Sequence, residues 1–141
     1  MIKKILIGGL ISLSIVTTVT AQEQLKSEMN ALSGGLYNIE RGFLTNDQKL
    51  TDESLAKLKK DVKTFLGDEK DIKKLLPEDL KHKSSIAINS ANMISKSIDK
   101  IQKILKDSSL SPINRQMRSQ KEFTSIQNQC FRCHNLVRDW R

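Results

Sequence analysis

Two cysteines and two histidines are the chain's whole stock of thiol and imidazole groups. Three of the four fall within five residues, Cys130-Phe131-Arg132-Cys133-His134. The order C-x-x-C-H is the attachment run for a haem of c type. Its spacing has a physical basis. Residues three apart on a helix point the same way, so both thiols can form thioethers with the two vinyl groups of one porphyrin. His134, next in the chain, can then present its imidazole to the iron as proximal ligand. With so few cysteines and histidines, chance produces this order on the order of 2 times in 10,000. Other chemistries use the same groups. A redox C-x-x-C stands at a helix start after a strand, whereas this pair lies late in a helical pattern. A zinc site takes four ligands, and Cys130, Cys133, His134 and His82 would exhaust the supply while placing two adjacent residues on one ion. A plain disulfide is the third alternative.

The elements that must position this run are helical. Leu25, Met29, Leu32, Leu36, Ile39 and Phe43 recur every three or four residues and predict a helix over about 23–44. Gly34-Gly35 weakens it by about 1 kcal/mol per glycine, which suggests a close approach there. Leu55, Leu58, Val62 and Phe65 mark a second helix, with Thr51 or Asp52 as N-cap and Gly67 in the C-terminal position. A charged crossover from Asp68 to Lys83 follows, in which Ile72, Leu75 and Leu76 can form a short extra turn. Ala87, Ala91, Ile94, Ile98, Ile101 and Leu105 give the third stripe. Ser111 as N-cap and Pro112 at the first helical position open the last helix. Its stripe continues through Phe123, Ile126, Cys130, Cys133, Val137 and Trp140.

The fold class expected is therefore all-α, an antiparallel up-down-up-down four-helix bundle. Any haem would sit at the end that holds the C-terminus of the last helix. The length of 141 residues, with 38% hydrophobic and 4% aromatic residues, suits one small helical domain rather than a β-sandwich. Gly-rich phosphate loops, Ser/His/Asp constellations and His-x-x-x-His pairs are absent from the sequence, so no enzyme activity is expected. Lys3-Lys4, the apolar run Ile5 to Val16 and Val19-Thr20-Ala21 read as a secretory leader cleaved near Ala21. That gives a leader over 1–21, a domain over 22–141, a periplasmic location and no stable membrane insertion after cleavage.

A leader, a four-helix pattern and a single C-x-x-C-H near the C-terminus, followed by a short basic tail, resemble the class II c-type cytochromes, which include cytochrome c-prime and its low-spin relatives of the c-556 type. The motif match covers Cys130 to Arg138; over the rest of the chain only helical pattern and length agree. Val137 stands where the family often has an aromatic, and Arg132 where it often has a small residue. The resemblance implies one covalently bound haem c and a distal residue on the first helix. Bundle topology puts Met29 at the haem's level, while Met93 and Met117 lie too far along their helices. His82, at the start of the third helix, is a competing ligand. A five-coordinate iron that binds nitric oxide or carbon monoxide is the remaining alternative. Leu25, Leu32, Phe65, Leu66, Ile86, Phe131 and Val137 are the expected apolar haem wall, with Arg138 beside it.

The formal net charge is +8. Arg132, Arg138, Arg141, Lys81 and Lys83 gather near the haem end. They read either as a solvated surface that neutralises haem propionates or as a landing patch for an acidic redox partner protein. An exported chain makes nucleic acid an unsuitable partner. The resemblance also implies a homodimer through the first two helices, with Gly34-Gly35 at the contact.

Overall fold

A capping box starts the first helix. The Thr20 hydroxyl accepts from the Glu23 N–H at 3.3 Å and the Glu23 carboxylate accepts from the Thr20 N–H at 3.1 Å, which satisfies two N–H groups that the helix cannot pair itself. The computed structural model describes residues 20–137. The expected leader, save Thr20 and Ala21, lies outside the described residues, as do Arg138, Trp140 and Arg141.

Helix α1 (Ala21–Thr45) ends at Asn46, whose φ of 54° is left-handed and whose N–H returns to the carbonyls of Gly42 and Phe43. Asn tolerates that conformation better than most residues. One residue later Asp47 caps α2 (Gln48–Leu66), accepting from the Leu50 N–H at 2.9 Å. This corrects the expected cap at Thr51 or Asp52. Thr51 is buried inside the helix, and its hydroxyl donates to the Asp47 carbonyl at 2.8 Å. Gly67 ends α2 with φ −84°, in the right-handed region, so it is not a left-handed cap. Asp68 starts a new helix beside it, accepting from the N–H groups of Lys70 and Asp71.

The crossover is more ordered than one extra turn. It forms α3 (Glu69–Leu75), which buries Ile72 and Leu75, and a 3-10 segment (Glu78–Lys83). Helix α4 (Ser84–Leu105) begins where the Ser84 hydroxyl donates to Glu69 Oε1 at 2.8 Å. Helix α5 (Pro112–Val137) opens as expected, with Ser111 Oγ accepting from the Asn114 N–H at 3.3 Å.

The protein is all-helical, with no strand among the described residues. Helix α4 packs against both α2 and α5, and α1 packs against α2. The stripes read from the sequence supply the core, and Ile39, Leu55, Leu58, Ile98, Ile101 and Ile126 are shut off from solvent. Each such side chain contributes about 1.5–3 kcal/mol. Salt bridges Lys59–Asp99 and Lys100–Glu122 tie α2 to α4 and α4 to α5. Among the described residues no helix is long and apolar enough to cross a membrane.

Candidate functional site

Helix α5 carries the C-x-x-C-H run in its last turns. Its buried side is set by Ser119, Phe123, Ile126 and Val137, and Cys130 and Cys133 continue that line, half-buried against the core. Both thiols are free. Burial pushes the Cys130 thiol up to about 11, with the adjacent Cys133 a lesser cause, and burial also raises Cys133. A redox C-x-x-C needs the opposite shift, a thiolate stabilised near neutral pH. Among the described residues no three His, Cys, Asp or Glu side chains converge as metal ligands, so no zinc tetrad is assembled.

The direction of His134 follows from helix periodicity. Gln116 and His134 are eighteen residues apart, about five full turns, and so lie on one face of α5. Gln116 Nε2 donates to the Phe43 carbonyl at 3.2 Å and to Asn46 Oδ1 at 3.1 Å, both at the end of α1. His134, half-buried, is therefore on the α1-facing side.

Two contacts set the level of α1 against α5. Phe43 meets Gln116 through that hydrogen bond and Phe123 through an edge-to-face ring contact, centroids 5.8 Å apart. Met29 lies fourteen residues, about 21 Å of helix, before Phe43. The same distance along α5 from Gln116 and from Phe123 reaches Cys130 and Val137. In an antiparallel arrangement of α1 and α5 that stretch would be the one opposite Met29.

Burial changes along both stripes toward that end. On α1, Ile39 is 0% and Phe43 7% exposed, while Leu25, Met29, Leu32 and Leu36 are half-buried. On α5, Phe123 and Ile126 are buried, Cys130 and Cys133 half-buried, and Val137 buried again. Helices α1 and α5 touch at few residues, and Met29, Cys130 and Cys133 are partly buried against the core. Phe65 and Leu66, at the end of α2, and Ile86, in the first turn of α4, join the same end, Phe65 and Ile86 half-buried. A large apolar group with two thioether attachments fits this set: two thiols on one line, an imidazole beside them, and an apolar wall from three further helices.

Of the expected wall, Phe131 is 63% exposed, about 100° round the helix from Cys130. His82 is exposed on the 3-10 segment, which touches α5. Met93 and Met117 are exposed. Of the expected basic patch, Arg132 is exposed, Lys81 pairs with Glu78, and Lys83 is half-buried; Arg138 and Arg141 lie outside the described residues.

Two polar residues beside the motif escaped the sequence reading. Glu28, next to Met29, accepts from Gln24 Nε2 at 2.9 Å with Oε1, and its Oε2 is buried without a partner. Gln129, next to Cys130, buries Oε1 without a partner. Each stands one step off an apolar stripe, a position that sequence patterning assigns to the surface.

An open cleft of about 200 Å³ lies at the other end of α5, lined by Phe43, Asn46, Thr51, Arg115 and Gln116 among others. Arg115 Nη1 is held by the carbonyls of Asp107 and Leu110, and the cleft is about 27 Å of helix from His134. It does not belong to the motif.

No family model, curated protein or solved structure matches the chain.

Proposed function

We propose that the chain is a periplasmic monohaem c-type cytochrome that carries single electrons. Its main helices α1, α2, α4 and α5 would form an antiparallel four-helix bundle, with haem c at the end where α5 finishes. Cys130 and Cys133 would hold the haem through thioethers, with His134 as proximal ligand and Met29 as distal ligand. When bound, the haem supplies an iron centre that exchanges one electron. The protein's share is to fix that centre. Leu25, Leu32, Phe65, Leu66 and Ile86 would exclude water from it, and ligation by Met29 together with His134 would raise its potential.

The observation that carries this reading is a coincidence of position. The two thiols are half-buried on the α5 stripe between buried Ile126 and Val137, and Met29 is half-buried on the α1 stripe; in an antiparallel bundle the two would share one level. The raised thiols argue against a dithiol redox role. The basic, apolar leader supports export, which haem attachment requires.

The test is the optical spectrum of protein matured with haem-attachment machinery, oxidised and reduced, with and without carbon monoxide. Low-spin spectra indifferent to the gas are expected, turning high-spin and gas-sensitive in Met29→Ala. High-spin spectra with prompt gas binding in the unaltered protein would replace the carrier by a five-coordinate, gas-binding haem protein. The low-spin state surviving in Met29→Ala but lost in His82→Ala would move the distal bond to His82. A purified chain without haem would overturn the proposal.

A further inference from the structure

The charge of this protein is not spread evenly round it. Helix α1 carries two basic and three acidic side chains, α4 three and one, and α5 four and one. Helix α4 lies between α2 and α5, so its outward face and the adjoining edges of its neighbours form one surface. Two ion pairs fix the register across it. Lys59 of α2 meets Asp99 of α4, and Lys100 of α4 meets Glu122 of α5. Those pairs neutralise the two acids at the seams.

The remaining cations on this surface form no salt bridge among the described residues, although Arg118 lies near enough to the Asp107 carboxylate to help hold its pKa down. From the Lys59–Asp99 pair, one turn along α2 gives Lys63 and one turn back along α4 gives Lys96, which brings two exposed lysines side by side. From the Lys100–Glu122 pair, one turn along α4 gives Lys103 and one turn back along α5 gives Arg118, again side by side and exposed. Lys96 and Lys103 are seven residues apart and share the outward midline of α4, about 10 Å from one another. Between them stand Asp99, which is paired with Lys59, and Lys100, which is paired with Glu122.

We propose that this α2–α4–α5 face docks the protein on an anionic lipid surface, with the bundle lying flat and α1 turned away. The chemistry favours lipid over an acidic protein. Three of the four unpaired cations are lysines, hydrated point charges on flexible stems that make no bidentate demand on their partner. Among the described residues, the large exposed apolar group of this face is Met93, at one edge. A protein interface would call for aromatic or arginine anchors in a packed centre. A layer of mobile headgroups needs only charge of the right sign, and each lysine near such a surface contributes a similar increment. This placement is independent of the haem reading.

The test is co-sedimentation of protein expressed with its own leader, using phosphatidylcholine vesicles with and without phosphatidylglycerol, at low and high salt. Binding is expected on the anionic vesicles alone, released by salt. Lys63→Glu/Lys96→Glu/Lys103→Glu should weaken it at least about 100-fold. Lys26→Glu/Arg41→Glu/Lys70→Glu, an equal charge change off this face, should weaken it far less. A neutral Lys63→Gln/Lys96→Gln/Lys103→Gln variant, checked by circular dichroism, keeps the result readable if the reversal harms folding. Equal loss in both reversals would reduce the effect to net charge and overturn the proposal. So would equal binding to uncharged vesicles, or capture by polyglutamate without capture by anionic vesicles.

Discussion

Gln116 Nε2 reaches across seventy-three residues of sequence to the Phe43 carbonyl oxygen, 3.2 Å away. The same amide nitrogen meets Asn46 Oδ1 at 3.1 Å, so one side chain of α5 holds the left-handed end of α1. It also fixes the level of the end of α1 against the start of α5. Gln116→Ala should cost about 1 kcal/mol, the usual net worth of such bonds, and lower the thermal midpoint by several degrees. A melt by circular dichroism checks this. An unchanged midpoint would mean that the Phe43–Phe123 contact suffices to hold the ends together.

The Cys130 thiol gives a pH prediction for chain made without haem attachment. Its folded value of about 11 lies above the ordinary 9.0, mainly through burial. Below pH 9 the thiol is neutral in folded and unfolded chains alike, so its contribution to stability is complete there. As pH rises from 9 toward 11 the unfolded chain loses the proton and the folded chain keeps it, so stability falls across that window. At pH 8 alkylation of Cys130 should be about a hundredfold slower in the folded chain than in urea. Equal rates would show that the end of α5 opens freely.

Phe131→Ala should leave stability within about 0.5 kcal/mol, as exposed substitutions usually do, and leave the spectrum of the haem-loaded protein unchanged. Leu32→Ala, half-buried on the α1 stripe, should cost more, about 1–3 kcal/mol. Urea melts of both variants decide the matter. A loss in Phe131→Ala as large as in Leu32→Ala would return Phe131 to the haem wall.

The stripes were legible because burial follows a period of 3.6, and Ile39, Leu55, Ile98 and Ile126 all fell where that period put them. The motif was legible because its three residues are contiguous. The start of α2 was not, since Asn46-Asp47 supplies a left-handed stop and a new cap within two residues, and a hydrophobic pattern skips both. The exposure of Phe131 was not legible, because its apolar character was read without its angle round the helix. Glu28 and Gln129 were missed because each stands one step off an apolar stripe, where patterning alone assigns a polar residue to the surface.

The glycines of α1 separate close approach from mere weakness. A Cβ on Gly42 would stand 2.3 Å from Thr51 Oγ1 and 3.0 Å from the Thr51 backbone nitrogen. The Thr51 hydroxyl is itself committed to the Asp47 carbonyl, so the α1–α2 turn must shift. Gly42→Ala should therefore cost about 2–3 kcal/mol. At Gly35 the nearest atom is Leu58 Cδ1, at 3.3 Å. That tip can move a few tenths of an ångström, so the helical gain of alanine and the crowding nearly cancel. At Gly34 nothing lies within 4 Å, and alanine there should stabilise the helix by about 0.5–1 kcal/mol. Of the expected Gly34-Gly35 approach, then, only Gly35 serves packing within the chain. Urea denaturation of the three alanine variants should rank Gly34→Ala above the unaltered protein, Gly35→Ala near it and Gly42→Ala well below. If Gly34→Ala instead destabilised in a concentration-dependent way, the open side of Gly34 would be the contact with a second copy of the chain.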